Sequence, residues 1–454
     1  MLSNNGSDGK RASLHGNWSS KMAFVLAVTG SAVGLGNIWR FPYVAGENGG
    51  GAFVLVYLLC VVAIGMPVMM SEILIGRRGR RNPVATMELL GREEGGSRNW
   101  RFVGLMGVIG GIFILSWYSV IAGWTLSYIV KSASGLFVGA SPGAVVEIHN
   151  AFKGNAWQGG IVHTVFMAIT IFVVARGVER GLEQAVRFMV PALLVMMLVL
   201  LGYSISSGSF GAGVEFLFQP KFEELQWSGV LAAMGQAFFT LSIGMGAIMA
   251  YGAYLPEEAS INATSATVVA ADTAIAILAA LVVFPLVFAN NLNVEEGPSL
   301  VFQTLPLAFG QMPGGAFFST VFFVLLSFAA WTSAIGLMEP AVAWVMENWN
   351  KARTFATLLI GLTIWALGFG SVLSFSVWKD VSFFRGTIFD NLLFVTNDLL
   401  LPVGGLLIAV FAGWVMCRNS TAEELGGAGS AYKAWRLGAR VVAPVGIFVV
   451  LFFA

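Results

Sequence analysis

The stretch GSAVGLGNIWRFPY (30–43) places three glycines within seven residues and then Arg40, all inside one apolar run. A second apolar run contains TLSIGMGA (240–247). Glycine costs a helix about 1 kcal/mol relative to alanine, and arginine in hydrocarbon costs about 2.5 kcal/mol or more. Both runs are therefore expected to unwind where the glycines fall. Unwinding frees backbone groups in a low-dielectric place, where they must find partners. Freed carbonyls are hard oxygen ligands for a small cation. Freed N–H groups at the start of a half-helix lie at its positive dipole end and suit a carboxylate. Each break also has polar side chains close by, Ser31 and Asn37 at the first, Thr240 and Ser242 at the second. Glycines at these spacings also let helices pack closely, but a pair of polar breaks points to a cation and an anionic group held side by side. A sodium ion and an amino-acid carboxylate would satisfy one another there.

Other polar groups lie inside apolar runs: Glu72 in MMSEILIGR, Tyr118 in LSWYSVIAGW, Asp272 in VVAADTAIA, and Thr332 with Ser333 in AAWTSAIG. A carboxylate such as Asp272 is costly in hydrocarbon unless it is paired or meets a cation. The hydroxyls carry less weight, because they often bond back to the i−4 carbonyl. There is no nucleophile–base pair and no nucleotide-binding loop, so an enzyme is not expected. His15, His149 and His163 are scattered, and Cys60 and Cys417 are far apart, which argues against a metal cluster or a disulfide framework.

The elements that must position these groups are membrane helices. Of the 454 residues, 57% are hydrophobic and 11% charged, too apolar for a water-soluble globule. The net charge of +1 points to no nucleic-acid partner. The polar beginning of the chain lacks the apolar core of a removable signal peptide. Apolar spans are predicted at 22–46, 51–75, 102–131, 161–177, 183–206, 226–255, 263–290, 315–349, 353–371, 387–416 and 434–454. With the amino terminus in the cytoplasm, Lys21, GRRGRR (76–81), Arg176, Arg180, Arg187, Arg353, Arg418 and Arg440 lie inside. Only Lys131, Lys153, Lys221, Lys379 and Arg385 then lie outside, which is the positive-inside pattern. The carboxyl terminus is then extracellular. The stretch GPSLVFQTLPLAFGQMPGG (297–315) is too apolar for a free loop and is expected to pack back as a lid.

Spans one and six are five apart, so they run in opposite directions, and both are interrupted by glycine. That is the signature of an inverted repeat with a midplane site. The predicted fold is an all-α integral membrane protein of eleven transmembrane helices, a 5+5 inverted repeat with helices 1 and 6 broken. Its parts are a cytoplasmic segment (1–21), a ten-helix core (22–416, with repeats at about 22–206 and 226–416), and a final loop and helix (417–454). The place is the cell membrane, multi-pass.

The motifs GSAVGLGNIWRFPY, NGGGAF (48–53), GQAFFTLSIGMGA (235–247), TSAIGLMEP (332–340) and LPLAFGQMPGG (305–315) resemble the neurotransmitter:sodium symporters. The likeness is to their bacterial amino-acid transporter branch, the leucine-transporter-like proteins, and runs from Trp18 to about residue 415. The resemblance implies sodium-coupled uptake by alternating access and two sodium sites. The first would use the Ala32 carbonyl, Asn37, Thr240, Asp272 and the substrate carboxylate. The second would use the carbonyls of Gly30, Val33 and Ala329 with Thr332 and Ser333. Substrate would lie against Ala32, Leu35 and Gly36, with its carboxylate at Tyr118. Ile114, Phe239, Thr240, Ser242, Met245, Ser333 and Leu337 would complete the pocket. Arg40, closing over Phe239, resembles the external gate. The family pairs it with an acid on span ten, where alignment gives Leu393 and the nearest acids are Asp390 and Asp398; Asp390 is taken for that role. Trp18, Tyr254 and Glu347 resemble the internal gate, with His15 at the place of its usual basic residue. GLEQAVRFMVP, from Gly181 to Pro191, resembles a motif that unwinds the inner end of span five.

Within that resemblance, Gly34 stands where monoamine carriers have an aspartate, which leaves the place to a substrate's own carboxylate. Ile114, Leu337 and the pliable Met245 favour neutral, hydrophobic side chains. Asp272 stands where chloride-dependent members have an asparagine, so no chloride requirement is expected. Tyr57, Gln236 and Thr240 would line the halide pocket, and Ala276 takes the place of the leucine transporter's glutamate. The partners implied are an amino acid, sodium ions and the lipid bilayer, with no nucleic acid. The rival readings are a same-fold carrier for an amine, betaine or other osmolyte, and a non-transporting amino-acid receptor or channel.

Overall fold

The computed structural model describes residues 18–292 and 300–453, so His15 and most of the 1–21 segment lie outside the described residues. Among those described, the chain is helical, with β-pairing confined to two isolated bridges, Gly50 with Pro220 and Phe383 with Gly386. Nine helices among the described residues are long and apolar enough to cross a membrane: Gly51–Gly79, Arg98–Ala133, Ala156–Ala175, Arg180–Ile205, Ile261–Ala289, Gly315–Trp349, Arg353–Ser374, Ile388–Val415 and Ser430–Phe453. A bent pair, Met22–Ala32 and Gly36–Glu47, makes a tenth with a 49° break. The chain is a multi-pass membrane protein.

The expected sixth span does not form one helix. It is split into Trp227–Thr240 and Ala247–Gly252. Between them Gly244 (φ 87°) and Gly246 (φ 73°) take left-handed backbone, which glycine adopts without steric cost. Ser242 takes it too (φ 53°), a strained conformation for a residue with a Cβ. Gly244 is also a close approach, since a Cβ there would lie 2.4 Å from the Leu401 carbonyl oxygen. In the first break, Val33 leaves helical geometry (ψ 106°) and its N–H closes the first half-helix on the Thr29 carbonyl at 2.7 Å. Both interruptions thus sit where the glycine spacing put them.

Arg98–Ala133 and Gly315–Trp349 form the centre, with 72% and 78% of their apolar windows buried. Ser430–Phe453, at 28%, lies on the periphery. The apolar 297–315 stretch packs back onto the helices over its described part. Leu300–Thr304 and Leu305–Gly310 are short helices with mostly buried side chains, and the Gly139 N–H donates to the Gly310 carbonyl at 3.0 Å. Residues 178–183 are π-helical and Pro191 lies inside the following helix, so the GLEQAVRFMVP segment is locally irregular. Cys60 is buried and Cys417 exposed, both free.

The GRRGRR arginines do more than mark a membrane side. Arg77 Nε pairs with Glu424 Oε2 at 2.6 Å. Arg80 Nη1 donates to the carbonyls of Ala253 (3.2 Å) and Leu255 (2.6 Å), just beyond the end of the split segment. Cations there meet the unpaired carbonyls and the negative end of the half-helix.

Candidate functional site

The two breaks face each other and are stitched together by side chains. Ser242 Oγ donates to the Ser31 carbonyl (3.1 Å), and Gln236 Nε2 donates to the Gly36 carbonyl (2.8 Å). The Ser31 carbonyl beside the first break thus finds its donor on the split segment, and the Gly36 carbonyl, which also accepts the Phe41 N–H, gains a second one there.

Asn37, Thr240 and Asp272, 235 residues apart in sequence at the extreme, come together in one fully buried cluster. Asn37 Nδ2 donates to Thr240 Oγ1 (2.8 Å), Asp272 Oδ1 (2.8 Å) and the Asp272 carbonyl (3.1 Å). Thr240 Oγ1 donates to Asp272 Oδ2 (2.9 Å), and Asn37 Oδ1 accepts from the Gly34 N–H (3.0 Å). Three oxygens thus converge on one donor group, and one of them belongs to a carboxylate. Hard oxygens in a dry place are the donor set an alkali or alkaline-earth cation takes.

A second oxygen cluster lies on the other side of the first break. Thr332 Oγ1 donates to the Ala329 carbonyl (2.9 Å) and reaches the Val33 carbonyl (3.4 Å). Ser333 Oγ donates to the Val33 carbonyl (3.3 Å). Gly30 packs against the same place, since a Cβ on it would lie 3.4 Å from Thr332 Cβ. Bonding back to the helix accounts for part of this geometry, because Thr332 also meets the Phe328 carbonyl at 3.2 Å. The contacts to Val33 cross to another helix and are not explained that way.

Between the clusters, Tyr118 Oη accepts from the Leu35 N–H at 3.4 Å. A Cβ at Gly34 would lie 2.3 Å from Ser333 Oγ and 3.0 Å from Tyr118 Oη. At Gly36 it would lie 2.9 Å from the Phe239 ring. Ala32, Ile114, Met245 and Leu337 are buried apolar residues. The region therefore has hydroxyl and backbone donors at one end and apolar side chains around it.

On one side of this region Arg40 Cζ stands 4.9 Å from the Phe239 ring centroid, and Phe239 stacks on Trp117 at 6.5 Å. A cavity of about 570 Å³ opens here, lined in part by Arg40, Phe239, Arg385 and Asp398. Asp390 does not line it. Its carboxylate closes a capping box with Thr387, accepting from the Thr387 N–H at 2.9 Å and hydroxyl at 2.8 Å. The structure brings Asp398 to Arg40's cavity in place of Asp390, and the reason is a π-helical stretch at Phe394–Leu400. A π turn takes about one more residue than an α turn, so positions within it, Asp398 among them, face a side that 3.6-residue counting does not give.

On the opposite side the region is sealed. Trp18 is buried, its N–H donates to the Tyr254 carbonyl (3.2 Å), and its ring meets Tyr251 edge-on at 5.4 Å. Glu347 accepts from Asn82 N (2.7 Å) and Nδ2 (2.7 Å). Three further acids hold this side or the breaks. Glu339 bridges Tyr254 Oη (3.0 Å) and the Arg353 guanidinium. Glu183 accepts from the Ser19 N–H (3.2 Å) and pairs with Arg187 (2.7 Å). Glu72 accepts from Gly244 N (2.6 Å) and Met249 N (3.2 Å), where a carboxylate meets the positive end of the second half-helix. The sequence shows Glu72 as an acid inside an apolar run but does not single out Glu339 or Glu183. The signal available for both was an acid at or inside an apolar run with an arginine 4 or 14 residues away.

A model of the sodium:neurotransmitter symporter family matches residues 15–139 and 144–454. The uncharacterized sodium-dependent transporter YhdH of Bacillus subtilis is 38% identical over 437 residues, covering 95% of this chain and 96% of that protein. The mouse sodium-dependent neutral amino acid transporter B(0)AT2 is 29% identical over 310 residues, 62% of this chain and 42% of that one. The crystal structure of MhsT in complex with L-phenylalanine matches with TM-score 0.89 at 40% identity, covering 96% of this chain and 98% of that chain. With a matching family model over nearly its whole length, the chain belongs to the sodium:neurotransmitter symporter family, whose members are transporters and not enzymes.

Proposed function

We propose that this chain is a sodium-coupled symporter that carries neutral, hydrophobic L-amino acids inward by alternating access, with two sodium ions and without chloride. The split segment counts as one span, giving eleven and a 5+5 inverted repeat, with the amino terminus cytoplasmic and the Arg40 cavity extracellular. The observation that carries the substrate class is the tight fit at Gly34. A side chain there would meet Ser333 Oγ at 2.3 Å, so the anionic group in the pocket comes with the substrate. The amino acid named with MhsT and the neutral substrates named with B(0)AT2 support the same class. Asn37, Thr240 and Asp272 would hold one ion beside the substrate carboxylate. Val33, Ala329, Thr332 and Ser333 would hold the other. Binding energy from two cations and one zwitterion then closes Arg40 and Phe239 over the site, and opening at Trp18 releases them inward.

A competition panel tests the substrate class. Leucine, phenylalanine and methionine should displace a bound radiolabelled amino acid in sodium, whereas monoamines and betaine should not; displacement by an amine alone would overturn it. Two substitutions separate the sites. Tyr118→Phe removes one hydrogen bond to a charged group and should weaken amino-acid binding by about 1.5–3 kcal/mol. Thr332→Ala with Ser333→Ala should raise the sodium concentration needed for half-maximal binding and leave the order of preferred amino acids unchanged. A changed order at unaltered sodium dependence would contradict the second site.

A further inference from the structure

An aromatic box closes over the carboxyl end of the Arg98–Ala133 helix, and one titratable ring sits inside it. His149, on the Pro142–Lys153 helix, is 5% exposed. Its Nδ1 is 2.8 Å from Tyr128 Oη. Its ring stacks on Phe302 of the Leu300–Gly310 segment at 6.1 Å, and Trp124 meets both rings edge-on at 5.7 and 5.5 Å. The far end of that segment is fastened separately, where Gln311 Nε2 donates to the Ala140 carbonyl at 2.8 Å. His149 therefore joins the near end of the segment to the Arg98–Ala133 helix, through rings and one hydrogen bond.

The charges around this ring are of one sign. Lys131 Nζ lies 3.6 Å from the Phe152 ring centroid, and Lys153 Nζ lies 5.0 Å from that of Phe375. Neither lysine has a carboxylate within 4 Å among the described residues. Glu147, on the same helix, is exposed, as are Lys379 and Asp380 beyond Phe375. The Leu300–Gly310 segment carries no titratable side chain, and His163 of the Ala156–Ala175 helix is turned to the Trp365 carbonyl at 3.0 Å. Burial, then Lys153 and Lys131, hold the His149 imidazole well below its ordinary range. A proton on the ring leaves the hydrogen bond possible, reversed toward Tyr128 Oη. It also buries a third positive charge beside two others.

We propose that His149 is an acid-sensitive fastener: neutral, it holds the Leu300–Gly310 segment down, and protonated from outside it lets that segment loosen. The inference rests on the transporter reading, which makes this face extracellular and this segment part of the entrance. A free imidazole titrates near about 6.5. Docking that takes only the neutral ring is at full strength above that pH and weakens about tenfold per unit below it, because the undocked state binds more protons. Closing of the entrance then depends on external acidity.

The test uses the full chain in liposomes with Cys417→Ser and a reporter, Ala308→Cys, at a fully buried place on the segment. A membrane-impermeant thiol reagent is added outside, in sodium without amino acid, over a range of external pH. Each rate is divided by that of the same protein carrying His149→Gln, which cancels the pH dependence of the thiol itself. Glutamine keeps a hydrogen-bonding group toward Tyr128 and takes no proton. The ratio should rise about tenfold between about pH 7.5 and about pH 5.5. With Ser228→Cys as the reporter instead, at an exposed position lining the Arg40 cavity, the ratio should stay flat. A ratio that does not change with Ala308→Cys, or the same rise with both reporters, overturns the fastener. The labelling needs no transport, so absent amino-acid uptake in the parent would count against the transporter reading alone.

Discussion

Asp272→Asn should lose most sodium-driven uptake in chloride-free buffer and regain part of it when chloride is added. The Asp272 carboxylate is fully buried, and both its oxygens are held, one by Asn37 at 2.8 Å and one by Thr240 at 2.9 Å. Asparagine keeps the shape and removes the negative charge. Uncompensated charge in a dry interior costs about 3–5 kcal/mol when one partner of a pair is deleted, enough to lower sodium occupancy by more than about a hundredfold. A halide can restore the charge if donors are close. Tyr57, buried and near enough to feel the Asp272 charge, and Gln236, whose amide reaches the Gly36 carbonyl, stand in that region. Uptake by both proteins in sodium gluconate and in sodium chloride decides the matter. A wild type that needs chloride, or a variant equally active in both salts, would contradict a built-in counter-charge.

Gly34→Ala should lower amino-acid affinity about tenfold or more and also weaken sodium binding at the Thr332–Ser333 cluster. The added methyl would sit 2.3 Å from Ser333 Oγ and 3.0 Å from Tyr118 Oη. Overpacking of that kind costs about 1–3 kcal/mol, and of the two groups displaced Tyr118 is assigned to the carboxylate and Ser333 to the second sodium ion. Ser333→Gly removes the nearest atoms but also an assigned sodium ligand, so the double variant should recover part of the amino-acid affinity only at raised sodium. Equilibrium binding of a radiolabelled amino acid to purified protein reads both effects. Affinity within about twofold of wild type for Gly34→Ala would show that this corner does not meet the substrate.

The breaks were legible because glycine is a local signal. The spacing in GSAVGLGN and TLSIGMGA marked both interruptions, and the polar residues beside them did meet. What sequence could not show was facing. The π-helical stretch at Phe394–Leu400 has no marker in the residues themselves, and it decides that Asp398 reaches the cavity. Asp390 was readable in another sense: Thr387 three residues ahead is the spacing of a capping box, and the structure uses it so. The Glu339–Arg353 pair and the Trp18 contact to Tyr254 are set by how separate helices pack. Those contacts follow no periodicity along the chain.

Sodium-driven accumulation is the central claim, and uptake by the purified protein in liposomes tests it most directly. Two sodium ions crossing a potential of about 100 mV supply about 4.6 kcal/mol, and a tenfold sodium gradient adds about 1.4 kcal/mol per ion. Vesicles loaded with potassium, placed in sodium and polarised inside-negative should concentrate a neutral hydrophobic amino acid well beyond the outside level. They should lose that accumulation when external potassium replaces the sodium. Accumulation that continues undiminished without sodium would contradict the account.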